Sequence, residues 1–226
     1  RWHLASYDVT IETLTDEPSP VDSLSFVESQ ITSDTALELY PRIAEDNIVW
    51  DFGANIYHYD LSTQATIQIT SGPSAEIGPE ISGEWILWLE GNGDKNIHTY
   101  DLSTGTETQI TFDTSDQESA RISGDKIVWM DDRNSNWDIY LYDLSTGTET
   151  QITSHAASQI NPNIDGNKIV WRDSRNIDND IYMYDLTTGT ETQITSYSGS
   201  QSSPDISGDK IVWMDDRNSN WDIYLY

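Results

Sequence analysis

ISGDKIVWMDDRNSNWDIYLY, residues Ile122–Tyr142, occurs again unchanged as Ile206–Tyr226. Outward from it, YDLSTGTETQIT runs Tyr100–Thr111 and again Tyr142–Thr153. Tyr59, Tyr100, Tyr142, Tyr184 and Tyr226 recur at one interval, which varies by a single residue only between the first two. The two identical segments therefore stand two such intervals apart. Trp50, Trp88, Trp129, Trp171 and Trp213 hold a second fixed position. Such a period marks a repeat architecture. One unit cannot bury its own apolar faces, and stacking on neighbours buries them instead.

Each repeat reads as four short strands. PDIS (Pro204–Ser207) is the first. Gly208-Asp209 turns the chain, because Gly takes positive φ freely and Asp tolerates it. KIVWM (Lys210–Met214), β-branched and aromatic, is the second. The polar loop DDRNSNW follows, then DIYLYDL (Asp138–Leu144) as the third strand. STGT turns into ETQIT (Glu149–Thr153), the fourth. No segment sustains apolar residues at i, i+3, i+4 and i+7, so the chain is predicted all-β with almost no helix. Four antiparallel strands every ~40–45 residues predict the blades of a β-propeller. Trp129, Tyr140, Tyr142 and their copies are the predicted core between blades.

The sequence stops at Tyr226, ahead of a fourth strand in its last repeat, while Glu28–Thr32 reads ESQIT. Thr32, Thr70, Thr111, Thr153 and Thr195 each precede the next repeat's Trp by the same interval, that from Thr153 to Trp171. This spacing predicts that Glu28–Thr32 completes the last blade and closes a five-bladed ring over residues 24–226. The alternative is an open arc of a larger ring, whose exposed edges would favour dimerisation. Residues 1–23 fall outside the repeat, as an N-terminal segment or linker. Tyr7, Val9 and Ile11 alternate as in a short extra strand, and Asp16–Pro20 reads as a linker. With Arg as residue 1, the expectation is a monomeric domain of a larger protein.

Composition narrows the function. The 39 acidic and 11 basic side chains give a net charge of −28. Such a surface repels phosphate backbones and anionic membranes, so no nucleic acid is expected as a partner. No stretch approaches the ~18 apolar residues of a membrane helix, so no membrane insertion is expected. The absence of cysteine excludes disulfides and thiolate metal sites. Nine Trp and twelve Tyr distinguish the chain from a disordered acidic one.

Motifs for chemistry are missing. There is no G-x-S-x-G, H-E-x-x-H or Gly-rich phosphate loop. Of His3, His58, His98 and His155, His58 and His98 lie one step apart in the third strand. They are expected on opposite faces and share no metal. Asp132, Asn134, Asn136 and Asp138 alternate, as do Asp216, Asn218, Asn220 and Asp222, a spacing that can wrap Ca²⁺. Yet the loop has no Gly at its sixth place and no bidentate Glu, and Ser174 replaces Asp132 in the fourth repeat. These residues are expected as turn formers. Arg133, Arg175 and Arg217 are expected to pair with Asp131, Asp173 and Asp215 near the surface, for under about 1 kcal/mol each. Glycoside cleavage needs two carboxyls ~5–9.5 Å apart. Glu90, Asp113 and Glu118 break the repeat and are the candidates for it. The reading assigns no catalytic residue, no metal and no cofactor.

The line ISGDKIVWMDDRNSNWDIYLYDLSTGTETQIT, Ile122–Thr153, resembles the TolB-like propeller repeat. It carries that family's Gly turn, aromatic-ended strand, D-x-R-N loop and DIYxxDLxxGxxxxIT. The resemblance spans about residues 28–226, with ISGD or IDGN replacing the usual SPDG. Similar acidic, Thr-rich repeats occur in archaeal and bacterial surface proteins, and TolB docks a partner protein through its propeller. The resemblance therefore implies a non-catalytic interaction or scaffolding module at the cell surface or envelope, with a protein or cell-surface glycan as partner. The competing expectation is a carbohydrate-active enzyme, a glycoside hydrolase or lyase, working through channel-mouth carboxylates.

Overall fold

The computed structural model describes residues 28–33, 35, 37–91 and 93–226. The chain divides into two compact units, 1–35 and 36–226. The strand expected around Tyr7–Ile11 and the Asp16–Pro20 linker lie outside the described residues.

Regular structure among the described residues is all β, in five antiparallel sheets. Blade 1 comprises β1 (Glu38–Ala44), β2 (Asn47–Phe52), β3 (Asn55–Asp60) and β4 (Ala65–Gln68). Blade 2 comprises β5 (Glu76–Ser82), β6 (Trp85–Glu90), β7 (Asn96–Asp101) and β8 (Thr106–Gln109). Blade 3 comprises β9 (Gln117–Ser123), β10 (Lys126–Asp131), β11 (Asp138–Asp143) and β12 (Thr148–Gln151). Blade 4 comprises β13 (Gln159–Asp165), β14 (Lys168–Asp173), β15 (Asp180–Asp185) and β16 (Thr190–Gln193). Blade 5 holds three strands, β17 (Gln201–Ser207), β18 (Lys210–Asp215) and β19 (Asp222–Leu225). Residues 28–33 carry no strand, so the fourth strand expected of Glu28–Thr32 is not among those observed.

Three local devices explain the repeat's spelling. The Asp of YDLS caps the third turn, with Asp143 Oδ1 accepting from Ser145 N at 2.9 Å and Asp60 Oδ1 from Ser62 N at 2.7 Å. The Q-x-T of the fourth strand is a double hook. Gln151 Nε2 donates to Thr153 O at 2.7 Å, and the buried Thr153 Oγ1 accepts from Ile139 N at 2.8 Å. Gln68, Gln109 and Gln193 repeat the first contact. The third device escaped the sequence reading. Every first strand carries a bulge against its second strand, at a residue of positive φ: Tyr40, Gly78, Ser119, Asn161 and Ser203.

Successive blades pack face to face. Val128 and Ile139 of blade 3 meet Ile169, Trp171 and Tyr182 of blade 4. Leu87 and Ile97 meet Ile127 and Trp129 in the same way, and Val49 and Ile56 meet Ile86 and Trp88. All five repeat tryptophans are buried, as expected. Blade 5 offers the same outgoing face uncovered. Ile223 is 75% exposed and Leu225 63%, whereas Ile139 is fully buried.

Candidate functional site

The loops between second and third strands hold most of the polar chemistry. In blade 3, Asp131 Oδ2 accepts from Trp129 Nε1 at 3.1 Å and from Arg133 Nη2 at 2.6 Å. Arg133 also reaches Glu149 at 2.7 Å, and its guanidinium carbon lies 4.2 Å from the centre of the Tyr140 ring. Blade 4 repeats this with Asp173, Arg175, Glu191 and Tyr182, and blade 5 with Asp215, Arg217 and Tyr224. The Asp–Arg pairs read from the sequence exist, but their expected surface setting needs correction. The side chains of Asp131, Asp173 and Asp215 are wholly buried. The Trp that donates to each of them stacks on the Tyr across the strands. Arg217 in turn draws the Asp215 carboxyl down to about 2.

The alternating Asp/Asn ladder belongs to the same construction. Asn134 Nδ2 donates to Asp138 Oδ2 at 3.1 Å and to Tyr140 Oη at 2.9 Å. Asp132 Oδ1 accepts from Asp116 N at 3.1 Å, and Asn136 Nδ2 donates to His155 O at 3.1 Å. The two asparagines point amide donors inward and the two aspartates accept from the protein. Through these contacts the four residues brace the turn and the loop.

The three repeat-breaking acids do not converge. Glu118 pairs with Lys95 at 2.9 Å. Asp113 Oδ1 accepts from Ser115 N at 2.9 Å, and the Ser115 side chain first, then this backbone bond, hold its carboxyl below the ordinary range. Glu90 lies 3.3 Å from His98 Nε2, and Glu107 lies 3.1 Å from His98 Nδ1. His58 bonds Asn47 at 2.7 Å, and burial pushes its pKa down. The faces of His58 and His98 do differ. Consecutive blades nonetheless bring opposite faces together, so Val49 opposite His58 and Trp88 opposite His98 share one core cluster.

Real divergence between blades sits two residues after each bulge. Arg42, Glu80, Arg121, Asn163 and Asp205 occupy that one position. Neighbours in the row touch: Arg42 bonds Glu80 through two contacts of 3.1 Å, Arg121 approaches Glu80 at 3.4 Å, and Asn163 Nδ2 donates to Asp205 at 2.6 Å. Aligning the residue before the Ile that opens each first turn, I-A-E-D, I-S-G-E, I-S-G-D or I-D-G-N, would have exposed this row. A cavity of about 300 Å³ opens beside it, lined by Ser119, Arg121, Asn161 and Asn163. A second, of about 570 Å³, lies over the blade 4 loop and is lined by Arg175, Ile177, Asp178, Gln193 and Tyr197.

No protein-family model and no curated protein matches the chain. Solved structures do match. A TolB candidate from Agrobacterium tumefaciens is 18% identical with a TM-score of 0.60, over 86% of this chain and 78% of that one. TolB from Acinetobacter baumannii is 24% identical with a TM-score of 0.56, over 86% of this chain and 55% of that one. Dipeptidyl peptidase 4 from Porphyromonas gingivalis is 10% identical with a TM-score of 0.66, and the match takes up only 38% of it. At these identities the likeness concerns the fold, and the fold of this chain is a TolB-like propeller repeat fold.

Proposed function

We propose that the chain is a non-catalytic interaction module of an extracytoplasmic or cell-surface protein, presenting its blades to a protein or surface glycan. One observation carries the reading. The polar residues that recur in the loops are engaged in bonds within their own blade, as Asp131, Arg133, Asn134 and Asp138 are. The acids that break the repeat have separate partners. Catalysis needs different groups with separated roles at one place, and near-identical blades supply repeated equivalent contacts instead. The low identity to TolB leaves partner and location as parts of this proposal. A hydrolase and lyase screen on common polysaccharides, run beside glycan-array and envelope-protein binding assays, is expected to give binding without turnover. Turnover abolished by Glu90→Gln or Glu118→Gln would establish the enzyme reading instead.

We further infer that residues 24–226 form one five-bladed ring, with Glu28–Thr32 as the fourth strand of blade 5. Gln30 Nε2 donates to Thr32 O at 2.7 Å, the same hook that Gln151 and Thr153 make inside blade 3. Ile223 and Leu225 of β19, whose counterparts in blade 3 are buried against blade 4, are exposed, so blade 5 keeps a face that a further blade would cover. Arg217 keeps its aspartate but meets no glutamate among the described residues, whereas Arg133 and Arg175 each have one in the fourth strand. In the repeat alignment Glu28 supplies it.

A further inference from the structure

Superposing the repeats position by position singles out blade 2. Blades 3 and 4 close the pocket beside the repeat Trp with a guanidinium held between two carboxylates and a tyrosine ring. Blade 2 keeps both acids, as Glu90 and Glu107, but its shorter loop, Gly91–Lys95, brings no arginine. His98 stands opposite Trp88, where Tyr140 stands opposite Trp129. A third acid adds to the imbalance. Glu76, paired across the strands with Glu90, stands where blades 3–5 have Gln117, Gln159 and Gln201; blade 1 has Glu38 there, opposite Phe52 and not an acid. One cation has gone and one anion has come, in a partly buried place where unscreened like charges repel.

What remains is a ligand set. Glu90, His98 and Glu107 each offer one atom, and the three atoms lie within 4.8 Å of one another. Independent of these acids, the fully buried Trp88 has an Nε1–H with no partner among the described residues. Its ring stacks on His98 at 5.8 Å and 28°, nearly as Trp129 stacks on Tyr140 at 5.9 Å and 24°. In blades 3, 4 and 5 the same N–H donates to the pocket carboxylate at 3.1, 3.0 and 3.1 Å. In blade 2 it finds no such acceptor. The buried Glu76 Oε2 beside Glu90 also has no partner.

We propose that blade 2 binds a divalent transition metal ion through His98, Glu90 and Glu107, the metal taking the place that the guanidinium holds in blades 3–5. Imidazole with carboxylates suits zinc and its neighbours, and three protein ligands leave room for water, an acceptor for the Trp88 N–H. Only one ring nitrogen of His98 binds the metal. The other keeps its N–H on the carboxylate that faces it, Glu90 at Nε2 or Glu107 at Nδ1, and that residue's second oxygen reaches the ion. The site departs from the sequence reading, which assigned no metal and weighed His98 only against His58.

Zinc titrated calorimetrically into the chelator-treated full chain tests this. One saturable equivalent is expected, together with a higher unfolding midpoint. His98→Tyr installs the residue of blades 3–5 and should keep the fold while losing that equivalent. Glu90→Gln should weaken it at least ~10-fold, a loss of ~1.4 kcal/mol, and His155→Gln should leave it unchanged. Zinc should also shift the His98 imidazole signals in the nitrogen–proton spectrum of the wild type, a readout that stands even if a variant fails to fold. No saturable uptake, uptake that survives His98→Tyr, or shifts confined to the other histidines would overturn the proposal.

Discussion

Asp131, Asp173 and Asp215 show how a residue that looks like surface polarity becomes core. Each is buried, bonded to the repeat Trp and neutralised by the arginine two positions later. Removing one partner strands the other charge in a low dielectric. Asp131→Ala is therefore expected to cost about 3–5 kcal/mol in urea unfolding, not the ~1 kcal/mol of an exposed pair. Because Asp215 has its carboxyl drawn down to about 2, its contribution is present above the ordinary carboxylate range and fades as the pH falls toward 2. Glu76 has the opposite sign. Burial first, and then the charge of Glu90, push its pKa above the ordinary 4.5. The fold favours the neutral acid, so stability falls as the pH rises through the raised value. Glu76→Gln, which copies blades 3–5, is expected to raise metal-free stability at pH 7 by about 1–3 kcal/mol and to give little gain at pH 4. Thermal melts at the two pH values would show this. The Asp–Arg pairing was legible in the sequence, since both residues recur together. Their burial was not, because it depends on packing between strands that the sequence does not display.

At the scale of the strand, the fourth-strand hook explains why QIT recurs while the residues before it face solvent. Thr153 is buried although β12 is exposed, and its hydroxyl is the acceptor for the Ile139 N–H. Thr153→Val keeps the shape and removes the acceptor. The expected outcome is a loss of about 1–3 kcal/mol and faster hydrogen exchange at the Ile139 amide. Strands two to four were readable from β-branched runs set between turn residues, to within a residue or two. First strands were read too short, starting at Pro204 where β17 starts at Gln201. The cause is the bulge. Its left-handed residue is Gly only at Gly78 and is Tyr40, Ser119, Asn161 or Ser203 elsewhere, so no glycine signal marks it. The same bulge sets the row Arg42, Glu80, Arg121, Asn163 and Asp205, and for that reason the row was missed.

For the whole molecule, the near-constant spacing of the tyrosines, with a tryptophan recurring in each repeat, made the blades legible, because stacked repeats largely preserve length as well as pattern. Charge acts at the same scale. With a net charge of −28, self-repulsion opposes the compact state. Raising salt from ~0.01 M to ~1 M shortens the screening length from ~30 Å to ~3 Å, so the urea midpoint is expected to climb across that range. A midpoint that falls would show that ion pairs such as Arg133–Glu149 outweigh the repulsion. The proposed closure of the ring rests on the constant interval between each fourth-strand Thr and the next Trp, and it is the central whole-molecule claim. In the complete blades Leu141 pairs with Thr150 and Met183 with Thr192, which aligns Leu225 with Ser29. The chain contains no cysteine, so Ser29→Cys with Leu225→Cys introduces a single disulfide pair, and one that needs adjacent strands to form. On mild oxidation the double variant is expected to give a monomer whose two cysteines are joined, as seen by non-reducing mass spectrometry of its peptides. Free thiols, or a disulfide found only between two chains, would contradict closure by Glu28–Thr32.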